Sequence, residues 1–212
     1  MTEEHEKCLF ERAPILYGGK KKPLTESLMS FGFMCGDGWF WPLLTLSENL
    51  EGLNVALSSL GVWVEAVEVK EKFGTLRFYI DVLVKLPWYK RLWNVISPMH
   101  PVYESQAQRV MVRYASNVAE EWITKCEAEC HNYCEFCGTP FGSWNKDDRV
   151  ITKGWISYIC KKCAEEKKLR YSQYYEENKL HYSLHCKEKN GNTEEAERDS
   201  EGEGGEADSK TP

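Results

Sequence analysis

The chain has no run of about eighteen apolar residues, so no transmembrane helix is expected. Its opening residues, MTEEHEKCLFER, are charged and contain no apolar core of the kind a secretory signal needs, so no signal peptide is expected. It has no P-loop, no dinucleotide-binding glycine fingerprint and no GxSxG elbow, which argues against the common nucleotide-dependent and serine-hydrolase chemistries. The five histidines (His5, His100, His131, His181 and His185) are not arranged around an obvious nucleophile. Cysteine, by contrast, is plentiful. Nine cysteines without a secretory signal imply a reducing cytoplasm, where paired cysteines hold metal more often than they form disulfides.

The length of 212 residues suits one ordinary domain, or a small domain with a metal module. The formal net charge of −6 is unevenly spread. Residues 190–212 carry eight acids and two bases, whereas residues 1–189 carry 25 of each sign. The acidic balance therefore belongs to the tail, and an anionic partner for the neutral body stays open. The tail is rich in Glu, Gly and Ser and has no apolar residue larger than Ala, so it is expected to be disordered.

Residues 1–24, with Gly18-Gly19 and three consecutive lysines, read as an irregular arm. An α+β body is expected over 25–130. Gly36-Asp37-Gly38-Trp39 reads as a tight turn. Apolar residues at Phe40, Leu43, Leu44, Leu46, Leu50, Leu53 and Leu57 then recur at helical spacing. Over 62–82 the period changes to two. Val67 and Val69 alternate with Glu68 and Lys70, and Leu76, Phe78 and Ile80 alternate with Arg77, Tyr79 and Asp81. This predicts a β-hairpin turning at Lys72-Phe73-Gly74. A long helix is predicted from Val102 to about Cys130, its stripe formed by Val110, Val112, Ala115, Val118, Ala119, Trp122, Ile123 and Cys126. A metal module with a following helix is expected over 131–189, that helix running from about Ala164 to His185.

Two cysteine pairs define the module. Cys134 and Cys137 form one CxxC, and Cys160 and Cys163 form another after 22 intervening residues. Each CxxC turn presents two thiolates on one side of a tight knuckle, and two knuckles complete a tetrahedral four-sulfur site. The expectation is one structural zinc in a zinc ribbon. The run Trp155–Ile159 would deliver the second knuckle as a strand, and that knuckle would open a helix. Four thiolates leave no position for water, so a catalytic role for the ion is not expected. Cys126 is expected in the core and Cys130 as a bystander.

Phe33–Trp39 (FMCGDGW), Val67–Tyr79 (VEVKEKFGTLRFY), Cys134–Gly138 and the Gly154-Trp155…Cys160 run together resemble a family of small proteins encoded by tailed bacteriophages and prophages. The resemblance covers roughly residues 25–165. It implies the helix, hairpin and ribbon architecture and a phage origin, and it implies no reaction. The aromatic stretch at 83–101 and the acidic tail depart from the family's shorter form.

Three functional readings follow. The first is non-enzymatic binding of a host or phage protein, or of nucleic acid, in the bacterial cytoplasm. Lys85, Trp88, Lys90, Arg91 and Trp93 are the candidate partner-binding residues, since cations neutralise phosphates and rings stack on bases. Lys161, Lys162, Lys167, Lys168 and Arg170 form a second basic group beside the ribbon. The alternative is a metal-dependent nuclease using Asp37, Glu68 and Lys70, which requires all three on one sheet edge. The third is membrane-surface association through 83–96. Pro87 and the lack of one apolar stripe argue against it.

Overall fold

The computed structural model describes residues 1–86, 96, 105–141, 148–154 and 156–173. The acidic tail and residues 87–95 and 97–104 lie outside the described residues, as does the continuation of the chain after Gln173.

The fold is α+β, with a body and a small cysteine module. The first element, α1 (Glu3–Arg12), corrects the expectation of an irregular arm. Leu9 is fully buried, and Ala13, Leu16 and Tyr17 continue the same face into the core beyond the helix. Strand β1 is only Phe33–Met34. A 3₁₀ turn at Asp37–Trp39 then leads into α2 (Phe40–Leu57), whose buried residues include Phe40, Leu43, Leu46, Leu50, Leu53 and Leu57. The predicted leucine spacing therefore gives the core face, with Leu44 only partly buried.

Strands β2 (Val62–Lys72) and β3 (Thr75–Val84) form the hairpin. Their two-residue turn, Phe73-Gly74, has φ of +54° and +76°, as a type I′ turn requires. The alternation is not uniform along β2. A bulge between Ala66 and Glu68 switches the buried phase from Val62, Val64 and Ala66 to Val69 and Glu71. Val67, predicted on the apolar face, is consequently only half-buried. The sheet order is β1-β2-β3, with β1 parallel to β2 and Met34 level with Lys70.

Helix α3 (Gln106–Cys130) is capped by Ser105, whose Oγ accepts the Gln108 N–H at 3.2 Å. Ala115, Ala119, Ile123, Cys126 and Cys130 are buried, while Val110 at the helix start is exposed. The predicted stripe therefore forms the contact from Val112 onward. Glu127 reaches β3, accepting the Phe78 N–H at 3.0 Å, which blunts part of that edge.

Along its first half β2 has no β1 beside it, and other groups satisfy its backbone. Leu16 O accepts the Ala66 N–H at 2.7 Å. Asn54, buried on α2, donates to Val64 O at 2.9 Å and accepts from Val64 N at 2.6 Å. Asn54→Ala would strand a buried donor and a buried acceptor, each costing about 1–3 kcal/mol. We expect a loss of about 3 kcal/mol in urea unfolding. A loss below about 1 kcal/mol would show that water replaces the amide.

The module contains β4 (Arg149–Thr152), β5 (Tyr158–Cys160), α4 (Lys161–Glu166) and β6 (Tyr171–Gln173), with strand order β5-β4-β6. The predicted strand into the second knuckle is present as β5, and the knuckle opens α4. The predicted helix from Ala164 to His185 is not present as such. It stops at Glu166, Lys168 takes a left-handed φ of +51°, and the chain re-enters the sheet as β6. No described helix is long and apolar enough to cross a membrane.

Candidate metal centre

The first knuckle begins just beyond the C-terminus of α3. Cys134 N–H donates to Thr139 O at 2.8 Å and Gly138 N–H to Cys134 O at 2.9 Å, closing a tight loop around Cys137. Gly138 has φ +70°, a conformation that glycine adopts without a Cβ penalty. The second knuckle is the junction of β5 and α4, where Cys160 caps the helix and its Sγ accepts the Cys163 N–H at 3.4 Å. Cys160 N–H donates to Cys134 Sγ at 3.2 Å, tying the two knuckles together.

The four sulfurs lie within 4.8 Å of one another, and Cys137 and Cys160 are 3.6 Å apart. Thiolates around a tetrahedral zinc, each about 2.3 Å from the ion, would be about 3.8 Å apart. The donor set and its spacing fit such an ion. Cys134, Cys160 and Cys163 are buried, and Cys137 is exposed. Burial pushes the Cys134 thiol up to about 11. For Cys137 partial burial acts in the same direction, but hydrogen bonds from Thr139 prevail and draw it down to about 7. A cation at the centre supplies the countercharge that burial otherwise denies these thiolates. Cys126 and Cys130 are not part of this group. Cys126 is buried as expected, and Cys130, expected as a bystander to the metal group, is fully buried in the body core.

The knuckle is docked on the body. Gly38 N–H donates to Glu135 O at 2.7 Å. A Cβ at Gly36 would lie 2.2 Å from Glu135 O, and one at Gly38 1.9 Å from Cys134 O. Glu135, between the first two cysteines, is 6% exposed. Burial first, and then the neighbouring Glu71, push its carboxyl up to about 7, with Ser157 and the Gly36 backbone acting in the opposite direction, and its buried Oε2 has no hydrogen-bond partner among the described residues. At the hairpin tip a Cβ on Gly74 would meet the Tyr158 ring at 2.5 Å. Tyr158 also packs edge-on to His131 and beneath the Arg149 guanidinium. The GDGW and KEKFG runs thus meet the cysteine module at two points. Sequence reasoning assigned these glycines to turns and missed Glu135 and Tyr158. No signal in the sequence could have found them, because the turn already accounts for Gly74 and the partners of Gly36 and Gly38 are distant along the chain.

The Asp37, Glu68 and Lys70 set is only partly assembled. Asp37 and Lys70 line one open groove of about 880 Å³ with Met34, Glu71 and Phe136, and Glu68 is not among its lining residues. Glu68 instead pairs with Lys70 at 2.7 Å. Asp37 Oδ1 accepts from Thr2 N–H at 2.7 Å and Thr2 Oγ1 at 3.0 Å, and lies 2.9 Å from His5 Nδ1. Asp37 therefore anchors the start of α1. Slight burial raises its pKa, but the bonds from Thr2 and His5 outweigh this and hold it below the ordinary value of 3.8. A carboxylate with a depressed folded pKa stabilises above its unfolded pKa and loses that contribution as pH falls through the folded one. Asp37→Asn should therefore lower the melting temperature at pH 7, with the gap to the parent closing below pH 3.8. A gap that persisted unchanged into acid would assign the effect to shape instead of charge.

Lys85, just beyond β3, is exposed, and its N–H donates to Gly61 O at 2.7 Å. Trp88, Lys90, Arg91 and Trp93 lie outside the described residues. Lys161, Lys162, Lys167, Lys168 and Arg170 are all exposed on one side of the module's sequence, around α4. Compared with protein-family models, curated proteins and solved structures, the chain matches none.

Proposed function

We propose that Cys134, Cys137, Cys160 and Cys163 hold one structural zinc ion, and that the protein is a non-enzymatic phage protein that binds a host or phage macromolecule, protein or nucleic acid, in the bacterial cytoplasm. The observation carrying this reading is the convergence of four cysteine sulfurs within 4.8 Å. An all-thiolate donor set favours zinc over hard cations such as magnesium or calcium. It also fills the tetrahedron, so the ion supplies folding energy and not a reactive water. The module it holds presents a cluster of exposed cations on a docked support. The family resemblance supplies the phage setting.

Purified protein should contain one zinc per chain by elemental analysis, and cobalt substituted for it should give the intense visible absorption of a tetrahedral thiolate site. Iron with a broad charge-transfer spectrum, or no metal at all, would overturn the zinc assignment. A tagged pull-down from bacterial lysate, with and without nuclease, tests the binding role. Recovery that is lost with nuclease and high salt identifies nucleic acid, and a stoichiometric protein that survives both identifies a protein partner. Recovery of neither would count against the binding reading.

A further inference from the structure

Among the described residues, exposed positive charge is densest over residues 153–170. Residues 1–152 carry 16 bases and 20 acids, a net −4, whereas residues 153–170 carry six bases and two acids, a net +4. The six are Lys153, Lys161, Lys162, Lys167, Lys168 and Arg170, all exposed. Lys153 N–H donates to Arg170 O at 2.7 Å, which brings the end of β4 beside the start of β6. Leu169 N–H donates to Ala164 O at 2.9 Å and folds the Lys167-Lys168 turn back onto α4. Lys161 and Lys162 each have a glutamate one turn on, at 4.0 and 3.9 Å. Among the described residues, no carboxylate oxygen lies that close to the other four cations. Elsewhere Lys22 pairs with Glu65, Lys70 with Glu68 and Lys125 with Glu121. A zinc ion with four thiolates would add −2, and the module would stay positive.

We propose that the acidic segment 190–212 of the same chain docks on this basic face. The segment carries eight acids and two bases, a net −6, opposite in sign and comparable in size to the face. It is joined to β6 by residues 174–189. Those 16 residues span at most about 55 Å however they are folded. Tethering decides the matter energetically. Exposed ion pairs are individually weak, but a segment held by a short tether meets its site at an effective concentration on the order of millimolar. The docked segment occupies this cationic surface, so another polyanion reaches it only by displacing the segment. The inference shares with the preceding reading only the folded metal module, and does not depend on which partner the protein binds.

Zero-length carbodiimide cross-linking of the full chain at low salt, followed by peptide mass spectrometry, tests it. Bonds from the tail acids to Lys153, Lys161, Lys162, Lys167 and Lys168 should exceed those to Lys7, Lys20, Lys72 and Lys125 by about tenfold, a contrast that a tail without a preferred site would not produce. They should vanish in 1 M salt, where screening acts within about 3 Å. An equal mixture of isotopically heavy and light chains should give bonds within one isotope only. The double variant Lys167→Glu with Lys168→Glu should cut cross-linking at Lys153, Lys161 and Lys162 several-fold, and the double arginine variant should keep it. Metal content of every sample separates a failed dock from an unfolded module. Cross-links spread evenly over all lysines, heavy-to-light bonds in quantity, or no effect of the charge reversal with metal retained would each overturn the proposal.

Discussion

Replacing Cys134 with serine is expected to cost the protein its metal and the fold of residues 131–173 together. Cys134 is fully buried, and its sulfur accepts the Cys160 N–H in addition to its place in the four-sulfur group. The module's own apolar core consists of Cys134, Val150, Ile159, Cys160, Cys163 and Ala164, so half of that cluster is cysteines of the four-sulfur group. So small a cluster cannot offset the ordering entropy of about forty residues without an ion. Structural zinc contributes on the order of 10 kcal/mol in such modules, more than a small domain's whole stability. The variant should emerge from gel filtration with less than about a tenth of the parent's zinc, and trypsin should cut rapidly after Lys161 and Lys162. The body should keep its helical circular dichroism, because α1, α2, α3 and the hairpin share a separate and larger core. Its melting temperature should still fall, since Gly36, Gly38 and Gly74 lose the surface they pack on. Parent-like zinc content and protease resistance in Cys134→Ser would sink the four-cysteine assignment.

The parts of this fold that were legible from sequence are those specified over short distances. The four cysteines placed to hold a metal declare themselves because a CxxC knuckle is built within four residues, and two of them set the donor count. The hairpin and α3 show because their periods repeat over ten or more residues. The elements missed fail that condition. In α1 six of ten residues are charged, and only Leu9 is fully buried within it, so its apolar face continues in Ala13, Leu16 and Tyr17 beyond the helix. Strand β1 has two residues and no period at all. The polar helix expected after Ala164 ends where Lys168 turns left-handed, a choice made by pairing of β6 with β4 and not by local propensity. The docking of the module was invisible for a related reason. Gly38 and Cys134 meet only in space, and a glycine required by an approaching backbone looks the same in sequence as one required by a turn.

That last distinction can be measured at Gly38. Its backbone is not left-handed, so no φ argument requires glycine there, and the requirement is purely one of space. A Cβ would stand 1.9 Å from Cys134 O, 2.4 Å from Gly138 N and 2.7 Å from Glu135 O. All three are backbone atoms of the knuckle and cannot rotate aside, so Gly38→Ala must push the knuckle off the turn. Overpacking of this kind costs about 1–3 kcal/mol. Separation also breaks the 2.7 Å bond from Gly38 N–H to Glu135 O, adding about 1 kcal/mol. We expect a loss of about 2–4 kcal/mol, which for a chain of this size lowers the melting temperature by roughly 5–15 °C. Zinc should remain at one per chain, because no ligand is altered. Gly52→Ala is the matched control. It lies within α2 with nothing inside 4 Å of its added Cβ, so better helix propensity should make it neutral or stabilising by up to about 1 kcal/mol. If both variants melted with the parent, the contact between the GDGW turn and the knuckle would carry no stability. If Gly38→Ala alone were destabilised but also lost zinc, docking and metal retention would be one cooperative event, with the body helping to hold the ion.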